Sequence, residues 1–332
     1  MKALSYYLVF DRVRIQGANT VSGPLSYGFP ALSGFLGAIH ALKRKLPETM
    51  PFTLGGVLIA SHRCEVQAFQ ADAFDDATFI QSRNPIKRTG ETASIIEEGK
   101  VHLNVSLIVE VFGEPNAIQP QEQLLADQLR ALLYRQRIAG GSVVNIRDCH
   151  LYPSHQADEI RRRLLPGFVL MNADEKLETI TEELRSGICQ KVVRGRLKAL
   201  EDENGNPIPT GLPARPEATA LDALLATALL YHQPQADDEW QTLSSKSRHG
   251  WVIPLPLGFQ AISPLFEAGR MQHSRHAGYP TQYVETIYGL GEWRFPTKLP
   301  DDFRSCFWRY AEPQPNLYLI TQNTDYQGEH NV

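Results

Sequence analysis

The sequence predicts an α+β protein whose first part is a ferredoxin-like sheet with helices on one face. Three observations predict it. Hydrophobic periodicity switches between strand and helix in the order strand–helix–strand–strand–helix–strand. A glycine pair, Gly140-Gly141, stops the second helix. Beyond about residue 150 the pattern becomes less regular and proline-rich, which separates residues 1–150 from a second region, 151–332.

Residues 4–16 read as a strand. Its first half is apolar on both faces, as a doubly covered strand should be, and from Phe10 it alternates. Val13 and Ile15 point one way, and Arg12, Arg14 and Gln16 the other. A turn-rich stretch runs from Gly17 to Gly28. Pro30 then opens a helix in which Leu32, Phe35, Leu36, Ile39 and Leu42 recur at helical spacing. Strands follow at 52–62 and 101–112, separated by a polar excursion over about 70–100 that contains Arg83-Asn84-Pro85-Ile86-Lys87-Arg88. A second amphipathic helix, about 121–138, presents Leu125, Leu129 and Leu132, and a last strand is expected near 142–147. In the second region, helices are expected at 173–186 and at 217–231 with Thr219 as N-cap. The stretch 190–216 reads as an exposed insertion. Prolines 254, 256 and 264 argue for edge strands and loops.

With 33 Lys+Arg against 37 Asp+Glu among 332 residues, the formal charge is −4, which disfavours a free-standing, non-specific nucleic-acid binder but leaves room for a basic groove on an acidic body. The four cysteines are far apart and form no Cys-x-x-Cys pair, so they predict neither a zinc ribbon nor a redox motif and fit a cytoplasmic chain. No apolar run reaches the length of a membrane span. Gly289-Leu290-Gly291 lacks the third glycine of a dinucleotide fingerprint, and Gly99-Lys100-Val101 lacks the hydroxyl of a phosphate loop. No His-Glu-x-x-His or Gly-x-Ser-x-Gly motif is present. The expectation is no cofactor, no metal and no catalytic set; His40, His62, His102, His273 and His276 read as scaffold or loop residues.

Four basic constellations stand out. Arg12 and Arg14 share a strand face, while Arg83, Lys87 and Arg88 sit at a turn. Seven arginines and no lysine fall between 130 and 163, among them Arg137, Arg161, Arg162 and Arg163. Lys191, Arg194, Arg196 and Lys198 form the fourth. Any one of these reads as a solvated face. Arginine, however, offers a planar fork for phosphate oxygens and stacks on bases, and Gly140-Gly141-Ser142 would let backbone N–H groups approach a phosphate. Tyr27, in a Gly/Ser/Pro loop, is the best exposed candidate for stacking on a base.

The run Pro24-Leu25-Ser26-Tyr27-Gly28-Phe29-Pro30, with the helix ending Ile39-His40-Ala41-Leu42, resembles the second Csy protein family, of the Cas-five type within the RAMP superfamily. The similarity continues at Arg83-Asn84-Pro85, through 95–103, at Ala139-Gly140-Gly141-Ser142, through 162–168, and at Gly289-Leu290-Gly291-Glu292-Trp293, all in collinear order. The resemblance implies a modified RRM-like, ferredoxin-type domain with a thumb hairpin at 70–100. It implies a non-catalytic, RNA-binding subunit of a type I-F CRISPR surveillance complex that holds the 5′ handle of the guide RNA. Its partners would be the crRNA, the large subunit, the backbone subunits and, in the assembled complex, target DNA, with no membrane. The RNA-binding residues expected are Arg12, Arg14, Tyr27, Arg83, Asn84, Lys87, Arg88, Arg137, Gly140, Gly141, Ser142, Arg161, Arg162 and Arg163. The alternative is a RAMP-type, metal-independent endoribonuclease acting through His40 or His62.

Overall fold

A computed structural model describes residues 3–72, 75–187, 190–193, 196–198, 214–234, 240–244, 249–274 and 276–323. It is a mixed α/β chain in which the strand pairings are mostly antiparallel. In chain order the elements are β1 Leu4–Asn19, β2 Val21–Gly23, β3 Ser26–Tyr27, α1 Leu32–Arg44, β4 Phe52–Phe69, β5 Thr78–Arg83, β6 Ile95–Glu98 and β7 Lys100–Gly113. There follow α2 Pro115–Ile118, α3 Glu122–Tyr134, β8 Arg137–Ile138, β9 Gly141–Pro153, α4 Ala157–Arg163, β10 Phe168–Asn172, α5 Glu175–Ser186, β11 Gln190–Val193 and β12 Arg196–Lys198. The last are α6 Ala220–Ala226, β13 Tyr231–Pro234, β14 Trp240–Ser244, β15 Val252–Ala261, β16 Val284–Arg294, β17 Arg309–Gln314 and β18 Leu317–Thr321.

The chain packs as two units. The first comprises 1–169, 256–287 and 295–332, and the second 170–255 and 288–294. In the first unit β4, β7, β1, β9 and β8 lie side by side in that order, all antiparallel. β1 is buried on both faces from Ser5 to Asp11 and alternates from Val13. α1 lies along β4 and β8, and α3 along β9. α1 has no side-chain cap; packing holds it instead. A cap is worth about 1 kcal/mol, whereas each fully buried leucine-sized side chain contributes about 1.5–3 kcal/mol, and Leu32, Phe35, Leu36, Ile39 and Leu42 are all buried. Gly34 allows α1 to meet the β8–β9 hairpin: a Cβ there would lie 2.8 Å from that of Ala139.

The 70–100 excursion is a β-ribbon. β5 pairs with the end of β4 through Ala68–Phe79 and with β6 from Ile80–Glu98 to Arg83–Ile95. The chain from 256 onward adds β15, β18 and β17 to the first unit, with Trp308 bridging Val57 on β4.

The second unit buries Ala173, Ile180, Leu184, Ala223, Leu224, Val252 and Leu290 around α5 and α6, beside a four-stranded sheet ordered β12, β11, β14, β13. Thr219 caps α6 as the sequence predicts, in a full capping box with Asp222, but the helix ends at Ala226 rather than 231. Lys176 and Arg294 flank Glu292 at 2.8 Å each, outweighing the burial that would raise its pKa and holding that carboxyl below its usual range. No helix among the described residues is long and apolar enough to cross a membrane.

Candidate nucleic-acid interface

Strand alternation gives the β4–β7–β1–β9 sheet one apolar face, carrying Val13, Ile15, Leu103, Val105 and Ile146, and one polar face. Register fixes who meets whom on the polar side. Arg63, Asn104, Arg14 and Asn145 stand directly opposite one another across the four strands. In the neighbouring row Glu65 faces His102 across β4 and β7, and Gln16 faces Ser142, which faces Arg137, across β1, β9 and β8. Cβ atoms of residues so paired lie about 5 Å apart. One continuous surface therefore carries three guanidiniums, two asparagine amides and an imidazole.

This face is divided. One half is closed by the loop after α4. A β-bulge puts Arg12 at φ 48°, and its guanidinium donates to the Leu165 carbonyl at 3.2 Å. Beneath the loop, Ser106 donates to Asp11 at 3.1 Å and shares a 2.8 Å hydrogen bond with His62 Nε2. Asp11, nearly inaccessible, is paired with Arg147. Gly167 is required here, because a Cβ would lie 2.6 Å from His62 Nδ1. Burial, reinforced by Arg12 and opposed by Asp11, brings the His62 pKa down to about 4. His62 is therefore neutral when folded near pH 7.

A sign follows for stability. The unfolded chain's imidazole takes up its proton near pH 6.5 and the folded chain's only near 4, so His62 lowers stability progressively as pH falls between those values. The expected result is that His62→Asn loses less stability between pH 7.5 and 5.0 than the parent, measured by urea denaturation at both pH values. Equal losses would mean that His62 is not held neutral.

The other half of the face is open. Arg14 is exposed and its guanidinium makes no hydrogen bond or ion pair among the described residues, and the same holds for Arg137. Arg63 is also exposed but pairs with Glu65. His102 Nδ1 accepts the Gly17 N–H at 3.1 Å, which orients the ring. Asn104 Oδ1 is buried without a hydrogen-bond partner.

The sequence-predicted residues fall into three groups. Arg14, Arg137 and Ser142 come together on the open face, with Gly140 (φ 80°) and Gly141 at the adjoining hairpin; a Cβ at Gly141 would lie 2.6 Å from Ile15 Cγ2 and 2.7 Å from the Ala18 nitrogen. Tyr27 and the thumb form a second group. Tyr27 is 68% exposed and sits edge-on to Phe79 at the thumb root, at 5.4 Å. Arg83, Asn84 and Arg88 are exposed without partners among the described residues, and Lys87 pairs with Glu91 at 3.5 Å. Over 70–100 the carboxylates of Asp72, Asp75, Asp76, Glu91, Glu97 and Glu98 outnumber the cations of Arg83, Lys87, Arg88 and Lys100, so the thumb's basic residues sit on a net acidic segment.

The third group is α4. Arg161 donates to the carbonyls of Leu299, Pro300 and Asp301 and lies 5.1 Å over the Phe303 ring. Arg163 meets Asp148 at 3.4 Å and lies over Tyr152 at 5.4 Å, while Arg162 is exposed without a partner among the described residues. Arg12, Arg161 and Arg163 are thus committed to internal partners. In the fourth basic constellation, Arg194 lies outside the described residues, and only the backbone of Lys191, Arg196 and Lys198 is described, on β11 and β12.

Arg63, Asn104, Asn145, Gln16 and His102 escaped sequence reasoning as site residues. The alternation His102-x-Asn104-x-Ser106 places them on one face of β7, but only register brings Arg14 and Arg63 beside Asn104. Among the described residues no group of three or more His, Cys, Asp or Glu side chains is arranged to hold a metal ion.

Two comparisons bear on the chain as a whole. Residues 8–320 match the family described as CRISPR-associated protein (Cas_Csy2). The CRISPR-associated protein Csy2 of Pseudomonas aeruginosa (strain UCBPP-PA14) is 33% identical over 336 aligned positions, which cover 94% of this chain and 93% of its own length.

Proposed function

The chain belongs to the CRISPR-associated Csy2 family, and from that premise we propose that it is a non-catalytic, RNA-binding subunit of a type I-F CRISPR complex. It holds the 5′ handle of the guide RNA and assembles with the large and backbone subunits for recognition of target DNA. The observation that carries this reading is Arg14: a guanidinium with no partner among the described residues, at the centre of an open, polar sheet face flanked by Arg63 and Arg137. The strand order β4–β7–β1–β9 with α1 and α3 against it supports reading the sheet as RRM-like, and the polar face is where such modules stack and bind single-stranded RNA.

The proposed contacts divide by chemistry. Arg14, Arg137, Arg162 and the N–H groups of Gly140, Gly141 and Ser142 take phosphates, and Asn104 and Asn145 donate through Nδ2 to base edges. Tyr27, Arg83, Asn84, Lys87 and Arg88 meet the guide along the thumb. Arg12, Arg161 and Arg163 hold the scaffold that shapes this face. The ribonuclease alternative needs an accessible, titrating imidazole. His62, neutral, hydrogen-bonded to Ser106 and packed against Gly167, does not supply one.

The test is binding by the full chain with its large-subunit partner. A guide bearing the 5′ handle should bind roughly tenfold or more tighter than one with a scrambled handle, the size of one lost stacking or edge contact. Equal affinities would remove the handle assignment. Specific cleavage of repeat RNA that vanishes on His62→Asn or His40→Asn would replace this reading with the ribonuclease.

A further inference from the structure

Between β15 and β16 the chain leaves the sheet in an excursion, 262–283, that the proposed guide site does not use. Its sequence holds Arg270, Arg275, His273 and His276 against a single carboxylate, Glu267, together with Phe266, Tyr279 and Tyr283. Arg275 lies outside the described residues. The stem is well fixed. Phe266 and Thr281 exchange both backbone hydrogen bonds, at 2.8 and 2.9 Å. The Ile262 N–H donates to the Tyr283 carbonyl at 3.0 Å, the Tyr283 N–H to Ser263 Oγ at 2.9 Å, and Gln282 Nε2 to the Ser263 carbonyl at 3.0 Å.

At the tip the rings are arranged. His276 Nδ1 accepts the Gly278 N–H at 3.1 Å, which leaves the proton of the neutral ring on Nε2. The His276 and Tyr279 centroids lie 4.9 Å apart at 52°. Tyr279 is 68% exposed, and the Arg270 guanidinium has no partner among the described residues.

We infer that the excursion 262–283 is a second nucleic-acid site, which takes a single strand by stacking a base on Tyr279 and His276 while Arg270 meets its phosphate. An exposed ring near a cation on a fixed stem is what sequence-tolerant single-strand binding requires; a Cβ at Gly269, the neighbour of Arg270, would lie 3.9 Å from the Ala277 carbonyl, between His276 and Gly278. Cations outnumber carboxylates in the segment, and its exposed aliphatics, Ile262 and Leu265, sit at the stem rather than the tip. That distribution favours a polyanion over an apolar protein partner at the tip. Base stacking and phosphate contact are common to DNA and RNA, so the two should bind alike.

The experiment is fluorescence anisotropy of labelled dT15 and U15 with the full chain, alone and saturated with handle-bearing guide. The double variant Arg270→Ala/Tyr279→Ala should weaken both oligonucleotides roughly tenfold, with an unchanged melting temperature. Tyr279→Phe, which keeps the ring, should bind as the parent does. Guide saturation should leave dT15 binding in place. The inference is overturned if the parent does not bind dT15, if the double variant binds it equally well, or if guide displaces it. Loss of a protein partner without loss of oligonucleotide binding would overturn it too, and would assign the tip to a protein contact.

Discussion

Glu110→Ala is expected to cost about 3–5 kcal/mol of stability, the usual cost of stranding one member of a buried ion pair. Glu110 is 1% exposed on β7. Its Oε1 accepts Arg309 Nη2 at 2.6 Å and Arg304 Nε at 3.4 Å, and its Oε2 accepts Arg309 Nε at 3.0 Å and the Gly56 N–H at 3.0 Å. Arg309 is itself 8% exposed and donates to the carbonyls of Phe307 and Arg304. Removing the carboxylate leaves a buried guanidinium without its counter-charge and orphans a backbone donor on β4. It also unties β17 from the sheet at the point where Trp308 bridges Val57. Glu110→Gln should cost nearly as much, because it keeps the shape and loses the charge. Chemical denaturation measures both. A loss under about 1 kcal/mol for either variant, the worth of an exposed pair, would mean that water reaches this cluster.

Glu110 also shows where the sequence stops being informative. Within Leu107-Ile108-Val109-Glu110-Val111 it marks a strand, and the apolar run correctly implies burial. Nothing nearby in sequence announces that its partner is Arg309, because long-range pairing is decided by register and by the return of the chain from 256 onward. The elements themselves were legible. β1, α1 and β7 lie where the periodicity puts them and Thr219 does cap α6, but α3 ends at Tyr134, short of the glycine pair expected to stop it, and Gly140-Gly141 closes the β8–β9 hairpin instead.

The arginines were harder to read, for a single physical reason. A guanidinium is satisfied as well by a distant carbonyl as by a phosphate, and the acceptors of Arg12 and Arg161 belong to Leu165 and to 299–301. Arg12 and Arg14, two residues apart, look equivalent on an alternating strand. The bulge at Arg12 makes one a clamp and leaves the other free. Bulges depend on the fit between neighbouring strands, so no local pattern predicts them.

That difference between neighbours sets the second large effect. Arg14→Glu should weaken binding of the handle-bearing guide by roughly tenfold or more and flatten its salt dependence by about 0.7 in the slope of log K on log salt, the signature of one lost phosphate contact on a single strand. The fold should not notice. Arg14 is exposed and unpaired, and such surface changes stay within about 0.5 kcal/mol. Arg147 provides the contrast. Its charge is already neutralised by the buried Asp11, so Arg147→Ala should lower the melting temperature, by stranding that carboxylate, while leaving the salt slope nearly unchanged. Salt titrations of guide binding, run beside thermal melts of the same preparations, separate the two. If Arg14→Glu keeps the parent's slope, the guide does not cross the open half of the sheet, and the handle must run along the thumb instead.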